Sequence, residues 1–461
     1  MAAGKKAEKA RRYVCVDVGG TKIQASLIEE SGTILARERS DTPQKSSPET
    51  IVAAIEEAME TVVRKEGLKF KDVTAVGMAV PGVVDPDKGL VVVTPNMELT
   101  GTPIGPDLEK RFKVPVAVGN DCDLGTLGEA WLGSARKAPS AVGILVGTGI
   151  GCGIVRQGEL WRGAREAAAE IGHIVMEIGG PLCGCGNRGC FEALAGRAAI
   201  ERQLRDAIEE GRKSVLTEIL EGDPSLIRSG TLRRALDADD ELVTEVMRRA
   251  SEVLGHACLT VRHLLDPEVI VLGGGVVEAC YEFMVPIVRS IVDADKLPGA
   301  RESTGVLLSA LGDDAVVLGA LALARRLAGR DPFDKRFDVK PVYPEISGAS
   351  FGEVTVGPET YTRDVSISVN GDVKKRKKSL AKERYGSSHT VGPRELERVC
   401  RGGPAVLFIG TGHSGRLTLT DGAEQYLAQR LIECRALATP EAVAAYNKSK
   451  QRKAALIHAT C

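Results

Sequence analysis

The segment between Glu170 and Glu192 concentrates side chains that bind transition metals. One histidine and three cysteines fall within eighteen residues: His173, Cys183, Cys185 and Cys190. One imidazole and three thiolates can complete a tetrahedral zinc site, and four protein ligands leave no open position for a substrate. Gly184, Gly186 and Gly189 would let the chain turn tightly enough for the ligands to converge. The spacing therefore predicts a structural zinc ion rather than a loop of free thiols.

Two carboxylates flank this loop and need a separate explanation. Glu170 lies three residues before His173, and Glu192 lies two residues after Cys190. A rigid metal loop would hold both carboxylates, together with the free nitrogen of His173, as fixed partners for the hydroxyl groups of a sugar. The alternative is a pair of solvated surface glutamates.

Glycine-rich turns follow predicted strands at three points of the chain. The first, DVGGTK, offers backbone N–H groups for phosphate oxygens and a carboxylate that can hold hydrated Mg²⁺. Each turn alone could be an ordinary hairpin, but three of them predict a nucleotide site between two lobes. Their spacing is not the GxGxxG of dinucleotide-binding folds. The residues concerned are Asp17, Gly19, Gly20, Thr21, Lys22, Gly147, Thr148, Gly149, Gly151, Gly273 and Gly274.

A further polar pair, Asn120 and Asp121, ends the apolar run VPVAVG. An aspartate at a strand end that faces a cleft can accept the proton of an attacking hydroxyl group. The alternative is that this pair caps the following helix. The local pattern leaves both interpretations open.

The elements that would position these residues occur in two similar rounds. Tyr13 to Ser40 predicts three antiparallel strands, followed by a helix from about Pro48 and two more strands. From Ala141 the chain repeats the order of strand, glycine turn and strand, continues with helical periodicity over 197–265, and ends in a small-residue helix, VVLGALALARRLAG. Two such rounds predict an α/β protein with two lobes and a cleft between them.

The composition changes after Gly329 and indicates a second module. Residues 341–461 hold 18 basic and 12 acidic side chains, whereas the preceding 340 residues hold 43 and 50. The intervening prolines and charges are typical of a linker. We predict the following segments: an N-terminal lobe at 1–122, a second lobe with the zinc loop at 123–310, a final helix at 311–328 that packs back on the first lobe, a linker at 329–343, and a small α/β domain at 344–461.

The global composition excludes several other classes of protein. A net charge of -1 gives no overall attraction to nucleic acid or an anionic membrane. No apolar run reaches the roughly 18 residues of a membrane span, and the basic N-terminus lacks the apolar stretch of a signal peptide. Eleven cysteines, clustered or scattered singly, are typical of a reducing compartment. We therefore expect a cytoplasmic protein with no nucleic-acid or membrane partner.

Together these motifs resemble the ROK family of sugar kinases and repressors, which has the two-lobed actin-like ATPase (ribonuclease H-like) fold. The resemblance covers about residues 12–328 and rests on DVGGTK, GNDCDLGTLGEAWLG, CGCGNRGCFE, LDPEVIVLGGGV and LGDDAVVLGA. The metal loop is the most discriminating of these motifs. About a dozen residues precede Tyr13, fewer than the DNA-binding module of the repressors needs, so we expect a kinase.

The resemblance implies ATP- and Mg²⁺-dependent phosphorylation of a hexose at its 6-hydroxyl, with Asp121 as the general base. Glucose is the leading candidate, and N-acetylmannosamine, N-acetylglucosamine, fructose and allose are alternatives. A catalytically inactive sugar sensor is the alternative from another class. The resemblance further implies a homo-oligomer, a dimer or tetramer. It also assigns sugar binding to Asn120, Asp121, Glu170, His173 and Glu192, zinc binding to His173 and the three cysteines, and ATP binding to the glycine turns.

Residues 344–461 resemble the small α/β domain of the Mth938-like proteins, which implies no defined activity. The segment carries a basic run, KKRKKSLAKER at 374–384, which we interpret as a solvated loop because it lacks the interleaved aromatic residues of a nucleic-acid site. His413, in a glycine turn, is a weak candidate for lining a site. In the first lobe, the tryptophan expected after the PN turn at Asn96 is absent.

Overall fold

A computed structural model describes residues 11–95, 97–220, 227–297, 305–412 and 414–459. Asn96 and His413 lie outside the described residues. The chain forms two compact units, one made of residues 1–136 and 313–461 and the other of residues 137–312. Within the described part of the chain, no helix combines the length and the apolar character that a membrane span needs.

The N-terminal part of the first unit is a five-stranded sheet in the order β3-β2-β1-β4-β7. The first three strands are antiparallel, as predicted, while β1, β4 and β7 are parallel. Apolar residues of these strands and the apolar face of helix α1 pack together in a common core. The elements are β1 (Arg12–Val18), β2 (Lys22–Glu29), β3 (Ile34–Asp41), α1 (Pro48–Lys65), β4 (Ala75–Val80), β5 (Val83–Asp85), β6 (Leu90–Val93), α2 (Ile104–Phe112), β7 (Val116–Asn120) and α3 (Asp121–Trp131).

The second unit repeats this plan in the order β10-β9-β8-β11-β12. Its β8 and β9 form the antiparallel pair around the second glycine turn, and β8, β11 and β12 are parallel. The elements are β8 (Ser140–Val146), β9 (Ile150–Arg156), β10 (Glu159–Leu160), α4 (Phe191–Ala195), α5 (Arg197–Glu209), α6 (Leu216–Ile219), α7 (Ser229–Asp237), α8 (Glu241–Leu265), β11 (Val269–Gly273), α9 (Gly275–Asp293) and β12 (Gly305–Leu308).

The chain then returns to the first unit through α10 (Ala315–Leu327), which packs against α3 and the first sheet. Small side chains such as Ala320, Ala322 and Ala324 form much of its buried surface. Close approach of the two helices follows from this small-residue surface.

The C-terminal segment has its own sheet, β17-β16-β22-β19-β21, and its own core around Val365, Phe408 and Tyr446. Its elements are β13 (Ile346–Ser350), β14 (Glu353–Val356), β15 (Glu359–Tyr361), β16 (Val365–Ile367), β17 (Val373–Lys375), α11 (Lys378–Tyr385), β18 (Thr390–Val391), α12 (Pro393–Val399), β19 (Val406–Gly410), β20 (Thr418–Leu419), α13 (Asp421–Ala428), β21 (Glu433–Leu437), α14 (Thr439–Lys448) and β22 (Lys453–Ile457).

The prediction of a solvated loop for the basic run 374–384 is wrong. The run contributes to β17 and to α11, and the side chain of Arg376 is fully buried. Arg376 donates to both carboxylate oxygens of Glu395, at 2.8 and 3.1 Å. The pattern of charges along the chain could not reveal this, because the acidic partner lies nineteen residues away.

Candidate active site and metal centre

Two aspartates of the first unit lie at the same edge of its sheet. Asp17 is the penultimate residue of β1, and Asp121 follows the last residue of β7. The parallel strands β1, β4 and β7 all end at this edge, which is where ligands bind in open α/β sheets. Because adjacent strands are about 4.8 Å apart, the two carboxyl-bearing positions are separated by roughly two strand spacings.

Both of these carboxyl groups hold protons more tightly than usual. Burial raises the pKa of Asp17 to about 7, and the charges of Asp121 and Asp313 add to this effect while Arg39 opposes it. Burial also raises the pKa of Asp121, although hydrogen bonds to its carboxylate, chiefly from the backbone N–H of Cys122, partly offset the shift. A carboxyl group with a raised pKa is suited to accept a proton during catalysis.

In the DVGGTK turn, the Gly19 N–H is used within the turn, where it donates to the Lys22 carbonyl at 2.8 Å. Its carbonyl groups are occupied: Gly19 accepts from the Thr42 hydroxyl at 2.7 Å and Gly20 from the Gln44 amide at 2.8 Å. Within the described residues, no hydrogen bond uses the N–H groups of Gly20 and Thr21. A turn with fixed carbonyls and free N–H groups can receive phosphate oxygens.

Lys22, at the end of this turn, has a partner that the local sequence did not indicate. Its ammonium group contacts the carboxylate of Asp41, its cross-strand neighbour in β3. Both side chains are largely exposed, 66% and 82% respectively. An exposed pair of this kind is weak, so Lys22 can exchange Asp41 for a phosphate group at little cost.

Asn120 is the N-cap of α3. Its side-chain oxygen accepts from the N–H groups of Cys122 and Asp123 at 2.8 and 3.0 Å, and its amide donates to the Gly82 carbonyl at 2.9 Å. The cap predicted as one alternative for this pair therefore belongs to Asn120, while Asp121 occupies the first helical position. The cap orients the Asp121 backbone, and one oxygen of the Asp121 carboxylate accepts from the Cys122 N–H at 2.9 Å.

In the second unit, the four residues of the zinc prediction converge. One ligand atom from each of His173, Cys183, Cys185 and Cys190 lies within 4.8 Å of the others. The Cys185 and Cys190 sulfurs are 3.7 Å apart, and the Cys183 sulfur is 3.6 Å from His173 Nδ1. Zinc–sulfur bonds of about 2.3 Å give tetrahedral edges of about 3.8 Å, so the arrangement fits a tetrahedral zinc ion.

Within this cluster, burial opposes deprotonation of a cysteine, so a thiolate there needs a positive charge beside it. Burial raises the pKa of Cys190 to about 12, which favours the neutral thiol. A metal ion reverses this preference because it binds the thiolate. At Gly189, φ is +73°, and a Cβ atom would lie 1.6 Å from the Glu177 carbonyl oxygen, so the loop requires glycine there.

The cluster leaves one nitrogen of His173 facing a carboxylate. Nδ1 points to the cysteines, whereas Nε2 lies 4.0 Å from the Glu170 carboxylate. Glu170 is more than half exposed, and His173 is about one third exposed. A metal on Nδ1 would fix the ring and hold Nε2 beside Glu170.

Glu192 links the metal loop to the second glycine turn. Its carboxylate accepts from the Ile150 N–H at 2.8 Å, and a Cβ atom on Gly149 would lie only 2.2 Å from the same oxygen. Glycine at 149 therefore permits this contact. The Cys183 sulfur also lies 3.9 Å from Glu192. Glu192 is thus positioned by the turn and the metal loop together.

The remaining glycines of the second unit lie at the ends of neighbouring strands. Gly147, Thr148 and Gly149 form the β8–β9 turn, Gly151 is in β9, and Gly273 and Gly274 join β11 to α9. Because β8 and β11 are adjacent and parallel, both turns lie at one edge of this sheet.

Three charged residues near these sites were not predicted. Arg197 donates to the Thr148 hydroxyl at 2.6 Å, and Arg39 binds Gln24 at 2.5 Å. Asp313 lies 3.7 Å from Arg39. Asp313 lies in the motif LGDDAVVLGA, which could have marked it as a candidate site residue. Nothing in the local pattern, however, relates residue 313 to residue 39.

The paired sheets, the glycine turns and the helix α10 that returns to the first sheet define an actin-like ATPase fold of the kinase type. Residues 13–327 match the ROK family, and the chain belongs to that family. Residues 346–458 match a second family, described as a protein of unknown function (DUF498/DUF598). The protein is therefore a ROK domain joined to a separate C-terminal α/β domain.

Several relatives support this classification. The chain is 32% identical to a glucokinase of Thermotoga maritima over 319 residues, which are 69% of this chain and 98% of the relative. It is 29% identical to the N-acetylglucosamine repressor of Escherichia coli O157:H7, over 68% of this chain and 74% of that protein. The crystal structure of a ROK family glucokinase from Streptomyces griseus, in complex with glucose and AMPPNP, superimposes with a TM-score of 0.62 at 31% identity and covers 68% of this chain and 99% of that one.

Proposed function

We propose that the protein phosphorylates glucose at its 6-hydroxyl group, with ATP as the phosphate donor. The protein is an ATP-dependent sugar kinase, as its glucokinase relatives indicate. The observation that carries the catalytic proposal is the environment of Asp121. This carboxylate is half-buried at the carboxyl ends of the parallel strands, its pKa is raised, and within the described residues no basic side chain forms an ion pair with it.

In the proposed reaction, Asp121 accepts the proton of the 6-hydroxyl as that oxygen attacks the γ-phosphorus in line. The DVGGTK turn would bind phosphate oxygens through the N–H groups of Gly20 and Thr21, and the turn at 147–151 through those of Thr148 and Gly149, while Gly273 and Gly274 would lie near the adenosine. Asp17 would hold the hydrated Mg²⁺, which supplies neutralising charge to the phosphates when it is bound.

The sugar would be bound by Glu170, His173 and Glu192. We propose that zinc binds His173 Nδ1 and the three cysteines, leaving the His173 Nε2–H to donate a hydrogen bond to a sugar hydroxyl. Asn120 would contribute to sugar binding as well, since one hydrogen of its amide donates to the Gly82 carbonyl and the amide has a second hydrogen for a sugar hydroxyl. We further propose that the protein is cytoplasmic, where thiolates stay reduced. We also propose that it assembles into dimers or tetramers and that its C-terminal domain has an Mth938-like fold.

The decisive experiment is a coupled ADP-release assay of the purified full chain with a panel of hexoses. We expect the highest kcat/KM with glucose, and lower values with fructose, allose, N-acetylglucosamine and N-acetylmannosamine. A higher value with another hexose would transfer the proposal to that sugar. Sugar binding without turnover of any hexose would instead support the sugar sensor, a function favoured by the similarity to the repressor.

The metal proposal has its own test. Metal analysis of the purified protein should find about one zinc per chain, and Cys185→Ser should lose the metal and weaken sugar binding by roughly 10- to 100-fold. Cys434→Ser removes another exposed thiol outside the cluster and is the matched control. Metal-free protein with unchanged sugar affinity would contradict the proposal.

A further inference from the structure

A cavity of about 510 Å³ lies between β3 of the kinase domain and the C-terminal domain. The C-terminal side consists of the β16–β17 hairpin and the end of α12. Five basic and two acidic side chains line it, so the cavity has an excess of positive charge. Nothing in the proposed phosphoryl transfer uses this cavity.

The two basic residues on the kinase side already have partners. Arg37 forms two hydrogen bonds with the carboxylate of Asp314, at 2.6 and 2.8 Å. Arg39 donates to Gln24 at 2.5 Å and lies 3.7 Å from Asp313. These contacts balance the charge of β3, and they do not account for the charge of the opposite wall.

The three basic residues on the other wall are Lys374 at the hairpin, Arg398 in the last turn of α12 and Arg401 just beyond it. Within the described residues, none of their side chains makes a hydrogen bond or an ion pair. All three are exposed at the cavity surface. Among the described residues, Asp372 is the only acidic side chain that the hairpin contributes to the cavity, so this wall keeps an excess of positive charge that a bound anion would neutralise.

The walls of the cavity are held together by contacts between the two domains. The Ile34 N–H donates to the side-chain oxygen of Asn370 at 3.2 Å, and Arg452 donates to the Gly32 carbonyl at 3.3 Å. Arg452 is buried and also binds the carbonyl groups of Gly402 and Gly403. The hairpin, the α12 end and β3 are therefore fixed relative to one another, which keeps the cations in place.

We propose that this cavity binds the phosphate group of a small metabolite about the size of a sugar phosphate. The volume falls within the usual range of small-molecule sites, about 300–1,000 Å³, and exceeds what inorganic phosphate alone would fill. Guanidinium groups bind phosphate through two parallel hydrogen bonds, and two of the three unpaired cations are arginines. Ser366 and Ser368 of the hairpin provide hydroxyl groups that can bind the rest of the ligand.

The position of Arg39 connects this cavity to the active site. Asp17 pairs with Gln24 between β1 and β2, and Gln24 pairs with Arg39 between β2 and β3. Directly opposed residues project from the same face of a sheet, so these three side chains form one row. An anion that attracts Arg39 would draw it away from Gln24, and Gln24 is the residue that lies opposite Asp17 in the sheet.

Glucose 6-phosphate is also the product of the proposed reaction and would bind at the proposed active site, so the cavity is tested by the difference between the natural protein and cavity variants, which leave that site unchanged. Isothermal titration calorimetry of the full chain is carried out with inorganic phosphate, glucose 6-phosphate and citrate. We compare the natural protein with the double variant Arg398→Ala/Arg401→Ala. Loss of two charged hydrogen-bond donors should weaken both phosphate ligands by roughly 10- to 100-fold.

The matched control is Lys382→Ala/Arg384→Ala, which removes two exposed basic residues of α11 outside the cavity and should bind like the natural protein. Lys374→Gln tests the third cation through a different element and should weaken binding about tenfold or less. Equal affinity in the natural protein and the arginine variant, or no binding by either, would overturn the proposal. Equal loss in the control would do the same, and tighter binding of citrate would overturn the assignment to phosphate.

Discussion

The two parts of the first unit place aspartates in opposite electrostatic environments. In the kinase domain, Asp17 and Asp121 lie near each other, and burial raises the pKa of both. In the C-terminal domain, Asp364 accepts hydrogen bonds from His458 at 2.6 Å and Lys378 at 3.0 Å. Burial by itself would raise the pKa of Asp364 as well, but these partners and the Ala459 N–H lower it well below its usual range.

The difference shows what a buried carboxylate is available to do. Asp364 is surrounded by cations, including Arg376 at 3.5 Å, so its charge is already compensated and its role is to hold the domain together. Asp121 has retained its affinity for a proton. Burial alone does not identify a catalytic carboxylate, whereas burial without a compensating cation indicates one.

The largest expected effect that tests this comparison is on turnover. Asp121→Ala should lower kcat by about 10²- to 10⁴-fold, because the attacking hydroxyl loses its proton acceptor, and sugar affinity should change little. Asp364→Asn is the matched control, since it removes a buried carboxylate of the other kind and should leave kcat unchanged in folded protein. Near-normal kcat in Asp121→Ala would remove Asp121 from the mechanism.

The second effect is on stability. Asp364→Asn should lower the free energy of unfolding by about 3–5 kcal/mol at pH 7, because the buried Arg376 and His458 lose their shared partner. A lowered pKa contributes stability above the unfolded-state pKa of about 4, so the difference should shrink as the pH falls below that value.

Urea denaturation at pH 7 and pH 3 measures this change, with the exposed Asp421→Asn as a control in the same domain. A loss below about 1 kcal/mol would show that the cations around Asp364 find other partners.

The smallest expected effect is a gain in stability, opposite to the loss expected for Asp364→Asn. The folded protein keeps the Asp17 proton up to a pKa of about 7, whereas the unfolded chain releases it near 4. Stability is therefore lost as the pH rises between these values. Asp17→Asn removes this cost and should raise the free energy of unfolding at pH 8 by up to about 4 kcal/mol, with no gain at pH 4.

Thermal or urea denaturation at the two pH values measures the difference, and the exposed Asp107→Asn controls for the loss of one charge. An equal gain at pH 4 and pH 8 would mean that titration of Asp17 is not the cause.

Much of the fold and part of the candidate site could be predicted from the sequence. The apolar run YVCVDV and the two alternating segments after it predicted the three antiparallel strands, and the helical stripe after Pro48 predicted α1, because each pattern spans a single element. The sequence also predicted that His173, Cys183, Cys185 and Cys190 converge, since these side chains lie within one short segment and have the chemistry of metal ligands.

The tertiary structure decided the features that join distant parts of the chain. It paired Lys22 with Asp41, buried Arg376 against Glu395, and gathered Arg37, Lys374 and Arg401 around one cavity. Amino-acid types and spacing report on local geometry, because a turn or a helix is determined by neighbours along the chain. Which charge meets which partner depends instead on how complete elements pack, and that packing also decides whether a buried aspartate is neutralised or stays reactive.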